Sequence, residues 1–256
     1  KRRFNIILDR ILLFLGFMRK IHFILVTALV ISLSAHAQKR SVTAKLVSTD
    51  LVIDGKLDEA VWQSQEPSGG FTQYFPTDTL PATNDSNIRI LYDKDAIYIG
   101  LTMKTSSDEF VVNSLKRDYR GSGIDNIAVM FDTFNDGNNA FIFGMTPLGV
   151  QRDGLITNGG ATRNDYQFSW DAKWQGEAFT GDGYYSLEMA IPFNSLKFEN
   201  NATKWGFRVH RFDMQTNETS VWVPIPQNQI LGSLAFTGEL EFEQPLSDSK
   251  TSVAII

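Results

Sequence analysis

Apolar residues at every second position, in short runs separated by turn residues, commit this chain to β-strands rather than helices. Ile88, Ile90 and Tyr92, then Ile97, Ile99, Leu101 and Met103, alternate on either side of Asp93-Lys94-Asp95, which predicts a hairpin over Asn87 to Lys104. Ile127, Val129 and Phe131, then Phe141, Phe143 and Met145, flank Asn135-Asp136-Gly137-Asn138-Asn139, whose residues tolerate positive φ, and predict a second. Trp174 to Thr180 and Tyr185 to Ile191, joined by Gly181-Asp182-Gly183 and closed by Pro192, predict a third. Trp205 to Phe212 and Val221 to Ile225 predict a fourth pair, and Gly238 to Phe242 a last strand. Helical spacing is confined to a turn or two near Leu57 to Gln63 and near Asn194 to Lys197. The expected fold is all-β: an antiparallel two-sheet β-sandwich, jelly-roll-like, with one or two short helical turns.

The N-terminal region reads as an address rather than as structure. Met18-Arg19-Lys20, the apolar run Ile21 to Leu33 and Ser34-Ala35-His36-Ala37 have the charged start, apolar middle and small-x-small exit of a secretory signal, with cleavage expected after Ala37. Residues 1 to 17 read as an extension upstream of the true start. Export to the periplasm, outer membrane or extracellular space follows. Loss of six basic groups and one acidic group with the signal leaves 18 basic against 28 acidic residues, a net charge of −10. That acidity repels phosphate backbones and excludes a nucleic-acid partner. The chain has no cysteine, so neither disulfides nor thiol chemistry contributes, and 19 Phe, 7 Tyr and 5 Trp supply the apolar surface for a core.

Catalytic signals are few. His210 is the only imidazole left after cleavage, which excludes a multi-histidine metal centre, and no Gly-x-Ser-x-Gly turn accompanies it. It reads as a hydrogen-bonded packing residue. Asp132 with Asn135-Asp136-Gly137 has the look of a calcium loop, but Phe134 and Phe143 stand where oxygen ligands belong, so a hairpin turn is expected. Glu188 and Arg208, each opposite apolar neighbours on its strand, are candidates for an architectural ion pair. Sugar recognition needs an aromatic face for the C–H side of a pyranose and planar polar groups for its hydroxyls. The loop Arg117 to Arg120 and the segment Arg163 to Trp170 offer both, which makes Tyr119, Arg120, Arg163, Asp165, Tyr166 and Trp170 the candidate binding residues, with Tyr74 and Phe75 as a further aromatic patch. Trp174 and Trp205, within strand patterns, are assigned to the core.

The run Ile53-Asp54-Gly55-Lys56-Leu57-Asp58-Glu59-Ala60-Val61-Trp62 resembles the opening of family-nine carbohydrate-binding modules. The order of Ile88 to Asp93 with Ala96 to Gly100, Asp125 to Asp132, Leu187 to Phe193 and Trp205 to Arg208 agrees over almost the whole of residues 41–243. The resemblance implies a non-catalytic sandwich that binds oligo- or polysaccharide, accessory to glycoside hydrolysis by a parent polypeptide. It implies no cofactor, with structural calcium allowed but placed at no position. The details are most similar to the branch that precedes a membrane-type β-barrel. Residues 244–256 then read as a linker at a truncation point, and the alternative role is that of a structural or docking domain of an outer-membrane protein. Relatives of this family hold sugar between two loop tryptophans. The matching stretches here, Arg120 to Ile124 and Gln229 to Ser233, contain none.

Overall fold

The computed structural model describes Met18 and residues 39–246; the export signal, its cleavage point and residues 247–256 of the expected linker lie outside the described residues. In chain order the strands are β1 (Ser41–Leu46), β2 (Thr72–Phe75), β3 (Ser86–Tyr92), β4 (Ala96–Lys104), β5 (Asn126–Asp132), β6 (Ala140–Met145), β7 (Gln151–Ile156), β8 (Tyr166–Gln167), β9 (Gln175–Gly181), β10 (Tyr184–Pro192), β11 (Lys204–Asp213), β12 (Glu218–Val221) and β13 (Gly238–Phe242). One α-helical turn, Ala60–Gln63, and short 3-10 turns such as Phe193–Ser195 complete the described elements.

The strands form a mixed, β-sandwich-like arrangement in the order β8-β7-β6-β5-β11-β13-β1-β3-β4-β10-β9, with β12 and β2 branching from β11. Three expected pairs are antiparallel neighbours as read, β3 with β4, β5 with β6 and β9 with β10; in the fourth, β11 pairs antiparallel with β12, but that strand runs Glu218–Val221 and shares only Val221 with the expected Val221 to Ile225. The purely antiparallel expectation fails at β1. Its first four residues pair in parallel with β13, Ser41 opposite Glu239 through Ala44 opposite Phe242, and Lys45 and Leu46 then pair in parallel with β3. Alternation along a strand fixes its faces but not the direction of its partner, so this seam between two arms was invisible to periodicity.

The predicted inward residues meet in one core. Ile88, Ile90, Ile97, Ile99, Leu187 and Met189 from one arm and Ile127, Val129, Phe131, Phe143, Phe207 and Val209 from the other belong to a single buried cluster. Trp205 packs edge-on to Phe242 at 4.9 Å and to Phe131 at 5.8 Å. The packed body continues to Leu246, which is buried and whose N–H donates to the Ala202 carbonyl.

The opening motif closes the outer face of the β3-β4-β10 arm. Trp62 and Leu57 pack on Leu91 and over Gly100, where an added Cβ would lie 2.9 Å from Leu57 and 3.0 Å from the Trp62 ring. The partner of Gly100 across the ladder is Glu188. Its carboxylate accepts the Trp62 indole N–H at 3.0 Å and the backbone N–H groups of Asp54 at 3.1 Å and Gly55 at 3.3 Å. The expected Glu188–Arg208 pair is therefore not formed. The two residues lie on different arms, Glu188 on β10 and Arg208 on β11.

Asp132 makes the hairpin turn that its sequence context favoured. Its oxygens accept the N–H groups of Asp136 at 3.3 Å and Gly137 at 2.7 Å, so the carboxylate serves the turn.

Candidate functional site

The strands β7-β6-β5-β11 have a second face, turned away from the core, and register decides what it presents. One row across it reads Arg152, Gly144, Ala128, His210, and the next reads Gly154, Ile142, Met130, Arg208. Two small residues between Arg152 and His210 leave the floor low in the middle. The Tyr119 hydroxyl uses part of that room, because a Cβ at Gly144 would stand 3.5 Å from it. Phe168 likewise lies over Gly154, where a Cβ would approach its ring to 2.7 Å.

Three loops raise walls around this floor. They are the segment 118–122 before β5, the segment Arg163 to Phe168 around β8, and the segment 227–232 before β13, with Tyr74 of β2 facing them. The open cavity between them has a volume of about 670 Å³, within the usual range of about 300–1,000 Å³ for small-molecule sites. Tyr74 fixes one wall by donating its hydroxyl to the Gln229 carbonyl at 2.7 Å. The loop at Gly160 can pass close only because the residue is glycine: φ is +64°, and a Cβ would fall 2.2 Å from the Gly232 carbonyl oxygen. Tyr166 and Phe168 stack at 5.9 Å with rings 28° apart, and Phe168 is 38% exposed.

Charge is unevenly satisfied here. Arg152 is only 6% exposed, and its guanidinium carbon lies 4.4 Å from the Phe168 ring centre and 5.8 Å from that of Tyr119. Its Nε is buried with no hydrogen-bond partner. Arg208, on the same face and fully buried beneath the Ser233 to Phe236 segment, donates to the Ser233 carbonyl at 2.8 Å and contacts Met130 Sδ, while its Nε is also unpartnered. Burial lowers the pKa of both guanidiniums, that of Arg208 to about 10. Burial, followed by the charges of Arg208 and Arg152, holds His210 well below the ordinary imidazole range, which leaves it neutral. The expectation of a hydrogen-bonded packing histidine holds only for the packing. His210 sits edge-on to Phe212 and its Nδ1 has no partner.

Of the six candidate residues, Tyr119, Arg120, Arg163 and Tyr166 line this one cavity, as does Tyr74. Tyr119 contributes from a buried position rather than as an exposed ring. Asp165 does not line it: its carboxylate accepts the Thr162 N–H at 2.7 Å and hydroxyl at 2.9 Å, closing a capping box on the turn that carries Arg163. Trp170 is also elsewhere, its ring packed 5.2 Å from Phe141 and 6.1 Å from Phe143 at the margin of the core. Phe75 is exposed outside the lining. Sequence reasoning missed Arg152 and His210 as parts of the same site; it marked the segment Arg163 to Trp170 without singling out Phe168, and the stretch Gln229 to Ser233 without assigning it binding residues. The available signal for Arg152 was its shared face with Gly154 on the strand Gln151–Ile156.

In a second concavity, bordered by Ile53, Tyr98 and Trp174, Tyr98 donates to Asp93 at 2.9 Å and Trp174 to Asp153 at 3.3 Å. Among the described residues no group of three or more His, Asp or Glu side chains is gathered as for a metal ion.

Residues 53–228 match the model of the carbohydrate family 9 binding domain-like family. The chain belongs to that family. Its fold is similar to a family 9 carbohydrate-binding module from Caldicellulosiruptor kristjanssonii solved with cellotriose, at a TM-score of 0.56 and 14% identity over 85% of this chain and 98% of the other. A family 9 module from the same organism with glucose aligns at 0.54 and 16% identity, over 83% and 100% of the two chains. A candidate carbohydrate-binding protein from Bacteroides uniformis ATCC 8492 aligns at 0.59 and 15%, over 80% and 100%. No curated protein matches the chain. The two stretches in which family relatives place their gripping tryptophans, Arg120 to Ile124 and Gln229 to Ser233, both border the cavity built above.

Proposed function

We propose that the chain is a non-catalytic carbohydrate-binding module of an exported protein and that the cavity over β7-β6-β5-β11 is its sugar site. The convergence of the Tyr166–Phe168 stack, Tyr74 and both loop stretches on one cavity carries this reading. The exposed Phe168 ring offers the apolar face that a pyranose C–H surface packs on. Arg120, Arg163 and the 227–229 amides surround it with donors and acceptors for hydroxyls. Glycoside hydrolysis uses a pair of carboxylates across the scissile bond, whereas the cavity lining holds one, Asp118. Binding without chemistry is the activity that such a lining supports, and an accessory role to a hydrolytic parent polypeptide fits it.

Titration of the full chain with oligosaccharides by calorimetry tests this. The expected result is weak, saturable binding that Phe168→Ala and Tyr166→Ala each reduce by about 10-fold, the value of one lost stacking contact. Binding unchanged by both substitutions overturns the assignment of the site. The missing loop tryptophans favour a second reading, a structural or docking domain of an outer-membrane protein, for which a folded chain would bind no oligosaccharide at all.

A further inference from the structure

We propose that this cavity selects an acidic saccharide, one whose sugar carries an oxyanion such as a carboxylate or a sulfate ester, and that Arg152 receives the anion with Arg120 and Arg163 beside it. The inference rests on the saccharide reading of the same cavity and adds the charge class of its ligand.

The argument begins with cost. A guanidinium taken out of water loses several kcal/mol of solvation unless an anion or a full set of acceptors replaces it. Two other arginines meet anions, although the Nε of each is itself without a hydrogen-bond partner, and the fully buried Arg208 is answered by the Ser233 and Phe236 carbonyls and Met130 Sδ. Arg211 meets Asp213 at 3.0 Å, and Arg117 meets Asp153 at 2.5 Å and Asp171 at 3.1 Å. Arg152 is nearly as buried as Arg211, 6% exposed against 2%, yet among the described residues it makes no ion pair and no hydrogen bond, and its guanidinium packs on the Tyr119 and Phe168 rings. The one carboxylate in the lining, Asp118, lies 3.9 Å from Arg117 Nε. Arg120 and Arg163 are exposed and likewise unpaired among the described residues.

Three unpaired guanidiniums against one acid therefore line a cavity in a chain that is acidic as a whole. The loop accommodates this arrangement: a Cβ at Gly121 would fall 1.9 Å from Arg152 Nη1, so only glycine lets the backbone pass with the guanidinium in place. Arg152 lines the cavity together with Arg120 and Arg163, so a ligand held there lies beside the charge. The planar fork of an arginine fits a carboxylate or sulfate through two parallel N–H···O bonds, and the low dielectric of the floor strengthens them. A neutral sugar would leave the same charge uncompensated.

The test is calorimetric titration of the full chain with a glucuronate-bearing oligosaccharide, its neutral methyl ester, a sulfated oligosaccharide, a neutral cello-oligosaccharide, and free acetate and sulfate. The acid should bind about 10- to 100-fold tighter than its ester, the range of one charge-assisted contact, and the gap should shrink as salt rises. Arg152→Met should abolish the gap. Arg120→Ala and Arg163→Ala, at exposed positions that folding does not need, should each narrow it by about threefold. Stronger binding of the sulfated probe assigns a sulfate ester, and stronger binding of the glucuronate probe a carboxylate. Equal affinity for acid and ester overturns the acidic preference and leaves the saccharide site standing. Free anions binding as tightly as the oligosaccharides overturn the saccharide part and keep the anion. Absence of binding to every probe overturns both.

Discussion

Glu188 and Arg152 are both buried charges on outer strand faces, and the molecule treats them in opposite ways. Glu188 is enclosed by an indole and a backbone turn, which aim three N–H donors at its two oxygens. The residues that do this, Asp54, Gly55 and Trp62, form the motif by which the family is recognisable. Arg152 is enclosed by aromatic rings and a cavity, with its Nε left unpartnered. A buried charge answered from within the chain fixes the fold. A buried charge left open toward a cavity is held for something that arrives from outside.

Three experiments sharpen that contrast. The largest effect is expected at Trp62, which is fully buried and carries a donor to Glu188. Trp62→Ala should cost about 3–5 kcal/mol in urea unfolding through cavity formation and the exposed carboxylate partner. The next is a pH dependence. Burial pushes Glu188 up to about 7 from its ordinary value of 4.5, so the folded state holds its proton more tightly than the unfolded chain. The stabilising contribution is complete below pH 4.5 and is lost as pH rises through 7, by on the order of 3 kcal/mol. Glu188→Gln should flatten this part of the stability profile between pH 5 and 8, while lowering stability throughout because its amide NH2 faces backbone donors. The smallest effect has the opposite sign. Arg152→Met removes an unpaired desolvated charge and should raise stability by about 1 kcal/mol, measured as an increase in the urea midpoint. A loss of stability there instead would place Arg152 with the structural charges.

Much of this architecture can be read in the chain because hairpins are local. The alternating runs around Asp93-Lys94-Asp95 and Asn135 to Asn139 each contain both partners and the turn that sets their register. β1 is harder, since Val42 and Ala44 alternate with Ser41 and Thr43 but find β13 almost 200 residues away. The site divides along the same line. Loop residues such as Arg120, Arg163 and Tyr166 carry their own signal, aromatic beside planar polar, and reach the cavity. Trp170 carries that signal too, but the nearby Phe141 and Phe143 rings offer it burial. Asp165 is taken by the turn it caps. Arg152 and His210 become neighbours only through three successive ladders, a relation that no single strand records.

The seam at β1 bears on how the body is assembled. Its parallel partner β13 is the last of the described strands to leave the ribosome, so Ser41 to Ala44 lack that partner while the hairpins between them are made. Closure of the two arms is then a late event, and removal of Gly238–Phe242 would leave β1 and β11 each with a bare edge open to pairing with other chains.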